Sequence, residues 1–175
     1  MVIFITGGER SGKSSYAQEL ALSLSDNPCY IATARKWDKD FENRILRHQS
    51  DRDKHWTSME EEKYLSKIDL PNKVAVIDCV TLWLTNFYTD TKYDLDESFK
   101  QAMEEFDKLM EKNYTFIIIS NEIGMGVHAH TEIGRKFVEL QGWMNQYIAN
   151  ISDKAVLLVS GIPVIIKNKT EIGKN

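Results

Sequence analysis

The sequence GGERSGKS, at residues 7–14, gives the strongest indication of the fold class of this chain. It matches the pattern G-x-x-x-x-G-K-[ST] of a phosphate-binding loop, the P-loop. An apolar run at residues 2–6 precedes it and a helical pattern at residues 11–25 follows it, which is the context the motif requires. We therefore predict that loop N–H groups and the positive end of the helix hold the phosphates of ATP or GTP. The alternative, a chance turn of Gly and Ser before a helix, leaves the flanking strand unexplained.

Two side chains of the loop have predicted roles beyond backbone contacts. Lys13 is expected to reach the β- and γ-phosphates, and the Ser14 hydroxyl to bind Mg²⁺. Asp78 ends an apolar run at residues 74–78, and an acid at such a strand end holds Mg²⁺ directly or through water in P-loop proteins. Asp78 is alternatively the N-cap of a helix beginning near Thr81. The two roles are compatible.

The rest of the chain alternates between apolar runs and helical patterns. The runs lie at residues 2–6, 29–33, 74–78, 115–120 and 155–159, and their Val, Ile and Leu content without alternation indicates strands buried on both faces. Helical spacing of apolar residues covers 11–25, 95–112 and 133–151. This order predicts an α/β fold in which helices flank a mostly parallel sheet. A length of 175 residues fits one domain, 1–175.

Composition excludes several classes of partner and location. The net charge is −4, which gives no bulk attraction to nucleic acid or to an anionic membrane. No stretch approaches the roughly 20 apolar residues of a membrane span, and the apolar start is too short for a signal peptide. Cys29 and Cys79 lack metal-type spacing, so we expect buried free thiols. A cytoplasmic protein is the expectation.

A candidate nucleophile lies in a charged segment at residues 40–52. If this segment is a helix, Arg44, His48 and Arg52 lie on one face over roughly 12 Å. Two guanidinium groups beside a histidine disfavour its protonated form, which keeps the imidazole nucleophilic, and they are also suited to bind phosphate. A solvated charged helix face gives the same pattern, so the spacing alone leaves both interpretations open.

A glycine-rich turn follows the fourth apolar run, with the sequence SNEIGMG at residues 120–126. Open α/β sheets place ligand-binding loops at such positions. Its glycines permit close backbone approach, and Asn121 and Glu122 offer polar contacts. An ordinary turn before a helix is the alternative.

Taken together, these segments resemble the bifunctional adenosylcobinamide kinase/adenosylcobinamide-phosphate guanylyltransferase family of cobalamin biosynthesis. The resemblance covers nearly the whole chain. It is carried by GGERSGKS (7–14), YIATA (30–34), RILRHQSDR (44–52), HWT (55–57), DCVTLWLTN (78–86), SNEIGMG (120–126), Arg135, Gly142, Asn145 and VSGIPVIIK (159–167).

The resemblance implies two reactions and a RecA-like P-loop fold that assembles as a homotrimer. An NTP phosphorylates adenosylcobinamide, and GTP then donates GMP to that phosphate through a guanylyl-histidine, which falls on His48. The expected small-molecule ligands are ATP, GTP and adenosylcobinamide, with Mg²⁺ as cofactor on Ser14 and Asp78. His48 and Lys13 are the predicted catalytic residues. The predicted nucleotide-binding residues are Gly7, Gly8, Glu9, Arg10, Ser11, Gly12, Lys13, Ser14, Arg44, Arg52, Glu60, Asp78, Asn121 and Glu122.

One departure from the family pattern keeps narrower functions open. Relatives usually continue the glycine-rich turn with a hydrophobic pair and proline, whereas this chain has Val127-His128-Ala129. One alternative is therefore a P-loop kinase that retains a single activity. A GTP-dependent switch protein, without group transfer, is the alternative from another functional class.

Overall fold

A computed structural model describes residues 1–35 and 55–169 of the chain. The segment with Arg44, His48 and Arg52, including the helix expected over 40–52, lies outside these described residues. The described chain forms seven strands and four α-helices. The strands are β1 (Val2–Gly7), β2 (Cys29–Ala32), β3 (Thr57–Glu60), β4 (Val74–Asp78), β5 (Thr115–Ile119), β6 (Lys154–Val159) and β7 (Ile162–Asn168). The helices are α1 (Lys13–Leu24), α2 (Val80–Asp90), α3 (Leu95–Met110) and α4 (Glu132–Ile151).

The strands form one sheet in the order β3-β2-β4-β5-β1-β6-β7. All neighbouring strands are parallel except β6 and β7, which pair antiparallel as a hairpin. The predicted mostly parallel sheet with flanking helices is confirmed. Parallel strands end at the same edge of a sheet, so the loops after β1, β4 and β5 lie next to one another.

Helices cover both faces of the sheet, and a separate core fills each side. Alternate residues of one strand face opposite cores: Phe4 packs with Trp83, Phe87 and Phe106 on the side of α2, α3 and α4. Ile5 packs with residues of α1 on the other side. Burial on both faces explains why the sequence shows continuous apolar runs in the central strands. Cys29 and Cys79 are buried and free, as predicted.

The start of the first helix and the presence of two strands differ from the sequence expectation. The first helix begins at Lys13 and not at Ser11, because Gly12 adopts a left-handed conformation with φ of 93°. Strands β3 and β7 were not predicted. Strand β3 lies in a charge-dense region, and its side chains alternate between partly buried and exposed. None of the helices in the described ranges is long and apolar enough to cross a bilayer.

Candidate nucleotide-binding site

The phosphate loop lies between β1 and α1 and is held by close backbone contacts. A Cβ atom added at Gly7 would lie 2.6 Å from the carbonyl oxygen of Leu158 in the neighbouring β6. Gly12 has positive φ, and a Cβ there would lie 3.2 Å from the Cα of Gly161. The Gly161 N–H also donates to the Ser11 carbonyl at 2.9 Å. Glycine is therefore required at two positions of the loop for packing and backbone conformation.

The Lys13 side chain follows the inside of the loop. It is 7% exposed, and its Nζ donates to the Gly8 carbonyl at 2.6 Å. Burial lowers the pKa of Lys13 below its usual value, and the nearby acidic charge of Glu9 acts in the opposite direction. A cation at this position is suited to pair with phosphate oxygens, because a partly desolvated charge interacts more strongly than one in water.

Ser14 and Asp78 come together although 64 positions separate them in the sequence. Helix α1 packs over β4 and β5, which brings its first turn to the end of β4. The Ser14 hydroxyl donates to Asp78 Oδ2 at 2.9 Å. Tyr30 on β2 also donates its hydroxyl to Asp78 Oδ2. The predicted pair thus lies in one place at the carboxyl edge of the sheet.

The capping alternative for Asp78 does not hold. The N-cap of α2 is Cys79, and no side-chain hydrogen bond caps this helix. Thr33 instead fixes the backbone after Asp78: its Oγ1 accepts from the Cys79 N–H at 2.9 Å and donates to the Cys79 carbonyl at 2.7 Å. Burial, with the charge of Asp78, raises the pKa of the Cys79 thiol to about 12, so this cysteine is not a nucleophile at neutral pH.

The oxygen donors of Ser14 and Asp78 fit Mg²⁺. Mg²⁺ is usually held by one or two carboxylates together with substrate phosphates, and not by an all-protein cage. Residues 1–35 and 55–169 contain no group of three or more His, Cys, Asp or Glu arranged to hold a metal. A magnesium ion held by Ser14 and Asp78 would take its remaining ligands from the nucleotide phosphates and from water.

The glycine-rich turn after β5 lies against the phosphate loop. The Glu122 N–H donates to the Gly7 carbonyl at 2.9 Å, and the Asn121 N–H donates to Thr81 Oγ1 at 3.1 Å. Asn145 Nδ2 on α4 donates to the Asn121 carbonyl at 3.2 Å. Glu60 ends β3, two strands from β4 at the same edge. The predicted residues of the described chain therefore share one edge, while Arg44, His48 and Arg52 stay predictions.

Tyr30, Thr33 and Asn145 contact this site, and the residue pattern alone gave none of them a role. Tyr30 carried a usable signal, since a phenol hydroxyl inside an otherwise apolar strand needs a hydrogen-bond partner. Asn145 carried a similar one, because it is a buried amide on a helix face beside Met144 and Ile148. Thr33 had no signal of this kind.

Comparisons with known proteins identify the family of this chain. The family model described as "Cobinamide kinase / cobinamide phosphate guanyltransferase" matches residues 3–166. The chain belongs to this family. The bifunctional adenosylcobalamin biosynthesis protein CobU of Escherichia coli K12 is 35% identical over 182 residues, covering 95% of this chain and 100% of the relative. The protein CobP of Pseudomonas aeruginosa PAO1, with the same bifunctional description, is 35% identical over 170 residues, covering 94% and 96%.

A solved structure shares the fold at low sequence identity. The flagellar accessory protein FlaH of Methanocaldococcus jannaschii superposes with a TM-score of 0.50 at 13% identity, covering 95% of this chain and 78% of FlaH. At this identity the likeness concerns the fold alone. The mostly parallel sheet with a phosphate loop between β1 and α1 is the P-loop α/β fold that the sequence predicted, and membership of the family makes this chain an enzyme of cobalamin biosynthesis.

Proposed function

We propose that this chain phosphorylates adenosylcobinamide with an NTP and then transfers GMP from GTP to the resulting phosphate. The products are adenosylcobinamide-GDP and pyrophosphate. One observation carries the proposal: a phosphate loop with a buried Lys13, whose Ser14 hydroxyl donates a hydrogen bond to Asp78, in a chain that matches the family over residues 3–166. We take residues 1–175 as one catalytic domain.

In the kinase step, the loop supplies position and charge and forms no covalent bond. Loop N–H groups bind the phosphate oxygens, and Lys13 neutralises charge on the β- and γ-phosphates. Mg²⁺ held by Ser14 and Asp78 would further polarise the phosphoryl group when bound. The acceptor oxygen attacks the γ-phosphorus, its proton passes to solvent, the bond from the γ-phosphorus to the bridging oxygen breaks, and the nucleoside diphosphate leaves.

In the transferase step, we assign the nucleophile to His48. A neutral imidazole nitrogen attacks the α-phosphorus of GTP, the bond to the bridging oxygen breaks, and pyrophosphate leaves. The acceptor phosphate then attacks the phosphoramidate and frees the imidazole. The family match over residues 3–166, which includes RILRHQSDR (44–52), supports this assignment. Arg35, the last described residue before His48, follows the carboxyl end of β2, where Ala32 pairs with Asp78.

The first test is to incubate the purified protein with Mg²⁺ and GTP, without a corrinoid, and to measure the intact mass. We expect a gain of one GMP, mapped to the peptide that contains His48 and labile to acid, as a phosphoramidate is. No adduct, with GTP binding shown separately, would leave a P-loop kinase or a switch and would remove the transferase assignment.

We also infer that the enzyme is a cytoplasmic homotrimer. Strand β7 is an edge strand whose apolar side chains are exposed on both faces, among them Ile162, Val164, Ile165 and Ile166. Soluble proteins seldom leave such an edge uncovered. The hairpin tip at Gly161 contacts the phosphate loop, so a subunit on β7 lies close to the site. Free cysteines support a reducing compartment.

A further inference from the structure

Tyr30 lies beneath the site and points toward it from a strand that is otherwise apolar. The side chain belongs to the core on the α1 side of the sheet and is 2% exposed. Its strand β2 pairs with β4, with Tyr30 opposite Val76 and Ala32 opposite Asp78. The phenol ring therefore runs along the sheet toward the end of β4, where its hydroxyl donates to Asp78 Oδ2.

Asp78 Oδ2 accepts two hydrogen bonds, one from the Tyr30 hydroxyl and one from the Ser14 hydroxyl. These two are the hydrogen bonds to this carboxylate that the described part of the chain contains. Ser14 is also the hydroxyl expected to bind Mg²⁺, and an oxygen that becomes a metal ligand is drawn toward the metal. The Tyr30 hydroxyl is not drawn toward the metal, because its phenol ring is packed in the core. Its hydrogen bond to Asp78 is therefore kept when Mg²⁺ binds.

The ring of Tyr30 is itself fixed by packing. Trp56 meets it edge-on, with ring centroids 5.8 Å apart and planes at 80°. Strand β2 lies between β3 and β4, so the backbone of Tyr30 is held on both sides. A rigid donor of this kind restricts the carboxylate to one orientation.

We propose that Tyr30 is a positioning residue, which holds the Asp78 carboxylate in the orientation that binds the magnesium-nucleotide complex. This inference rests on the proposed use of Mg²⁺ at Ser14 and Asp78. A hydrogen bond from a residue behind a metal ligand typically changes metal affinity or activity about 10- to 100-fold. Tyr30 acts through Asp78 and has no direct part in the chemistry.

The test uses Tyr30→Phe, which removes the hydroxyl and keeps the ring. We expect the affinity for a non-hydrolysable GTP analogue to fall about 10-fold or more in the presence of Mg²⁺, and to stay unchanged in EDTA. The kinase reaction should require a correspondingly higher Mg²⁺ concentration. Isothermal titration calorimetry with the two buffers measures the first effect, and a Mg²⁺ titration of the initial rate measures the second.

Tyr16→Phe is the matched control. Tyr16 lies on α1, packs against the same core, and makes no hydrogen bond through its hydroxyl in the described residues. The proposed role of Tyr30 would be overturned if Tyr30→Phe bound the analogue in Mg²⁺ as tightly as the wild type does. It would also be overturned if the substitution reduced the affinity equally in Mg²⁺ and in EDTA. If Mg²⁺ leaves the affinity of the wild-type protein unchanged, the proposed magnesium site fails instead, so the two failures are distinguishable.

Discussion

Gly7 and Gly8 adjoin in the sequence but have different surroundings. A Cβ at Gly7 would meet the carbonyl of Leu158 at 2.6 Å and Ser11 Oγ at 2.7 Å, whereas a Cβ at Gly8 would meet nothing within 4 Å. A backbone carbonyl in a paired strand cannot move aside without disturbing the sheet. The requirement for glycine at Gly7 therefore comes from strand packing and precedes any contact with nucleotide.

We expect Gly7→Ala to destabilise the protein by about 1–3 kcal/mol, because the added methyl group overpacks the contact between β1 and β6. Gly8→Ala is the matched variant and should leave the free energy of unfolding within about 0.5 kcal/mol of wild type. Urea unfolding without nucleotide measures both. Equal stability of the two variants would show that the contact with Leu158 relaxes at no cost.

Lys13 and His48 are expected to separate the two activities. Lys13→Ala should impair both reactions about 100-fold or more, because each needs triphosphate on the loop. His48→Ala should abolish guanylyl transfer and spare much of the kinase step. Separate assays of ADP formation and of adenosylcobinamide-GDP formation measure the two effects, with His128→Ala as a control on the exposed loop. Equal loss of both activities in a folded His48→Ala protein would contradict a dedicated nucleophile.

Among the elements, the end of β2 is tied to α2 by an ion-pair cluster. Arg35 contacts Glu62 at 2.6 Å and Asp90 at 2.8 Å, and Lys63 contacts Asp90 at 3.0 Å. The hydrogen bond from Arg35 is the main cause that lowers the pKa of Asp90 from 3.8 to about 2. This cluster holds Arg35, the last described residue before the segment with His48, against Glu62 and Asp90.

Asp90→Asn should destabilise the protein at pH 7 by less than about 1 kcal/mol, since solvent screens a side chain that is 37% exposed. The folded pKa lies below the unfolded value, so the contribution of Asp90 is present above pH 3.8 and is lost as the pH falls toward about 2. Urea unfolding at pH 7 and pH 3 should show the difference from wild type shrinking at pH 3. Asp26→Asn, at an exposed carboxylate, is the control, and a difference independent of pH would contradict the assignment.

The sequence predicted the amphipathic helices over 95–112 and 133–151 and the strands that are buried on both faces. Strand β4 was predicted with its observed bounds, because both of its faces are covered and every position is apolar up to Asp78. Strand β7 was not predicted. Its apolar side chains are exposed, and the order of apolar residues in the sequence does not distinguish an exposed edge strand from a loop. At the site, the motif located Lys13 and Ser14. The contact of Tyr30 with Asp78 depends on the pairing of β2 with β4, which the sequence does not state.

At the scale of the whole molecule, the exposed apolar edge at β7 is where we expect subunits to associate. If the proposed homotrimer forms across β7, Ile165→Lys should give a monomer at concentrations where wild-type protein associates, because a buried lysine opposes association. Size-exclusion chromatography with light scattering measures this. Ile133→Lys is the control, since Ile133 is exposed to 49% and Ile165 to 53%. A trimeric Ile165→Lys protein, or a monomeric wild type, would contradict an interface at β7.

The strand order also decides when this enzyme becomes functional during its synthesis. Strand β1 carries the phosphate loop, but Val2 pairs with Phe116 and Ile3 with Lys154. A nascent chain that has emerged from the ribosome only as far as α3 therefore contains the whole phosphate loop. It still lacks β5 and β6, the two strands that pair with β1. Pairing over such sequence separations is slow to form. Nucleotide binding should appear only when nearly all of the chain has emerged, so a truncated product is unable to sequester GTP.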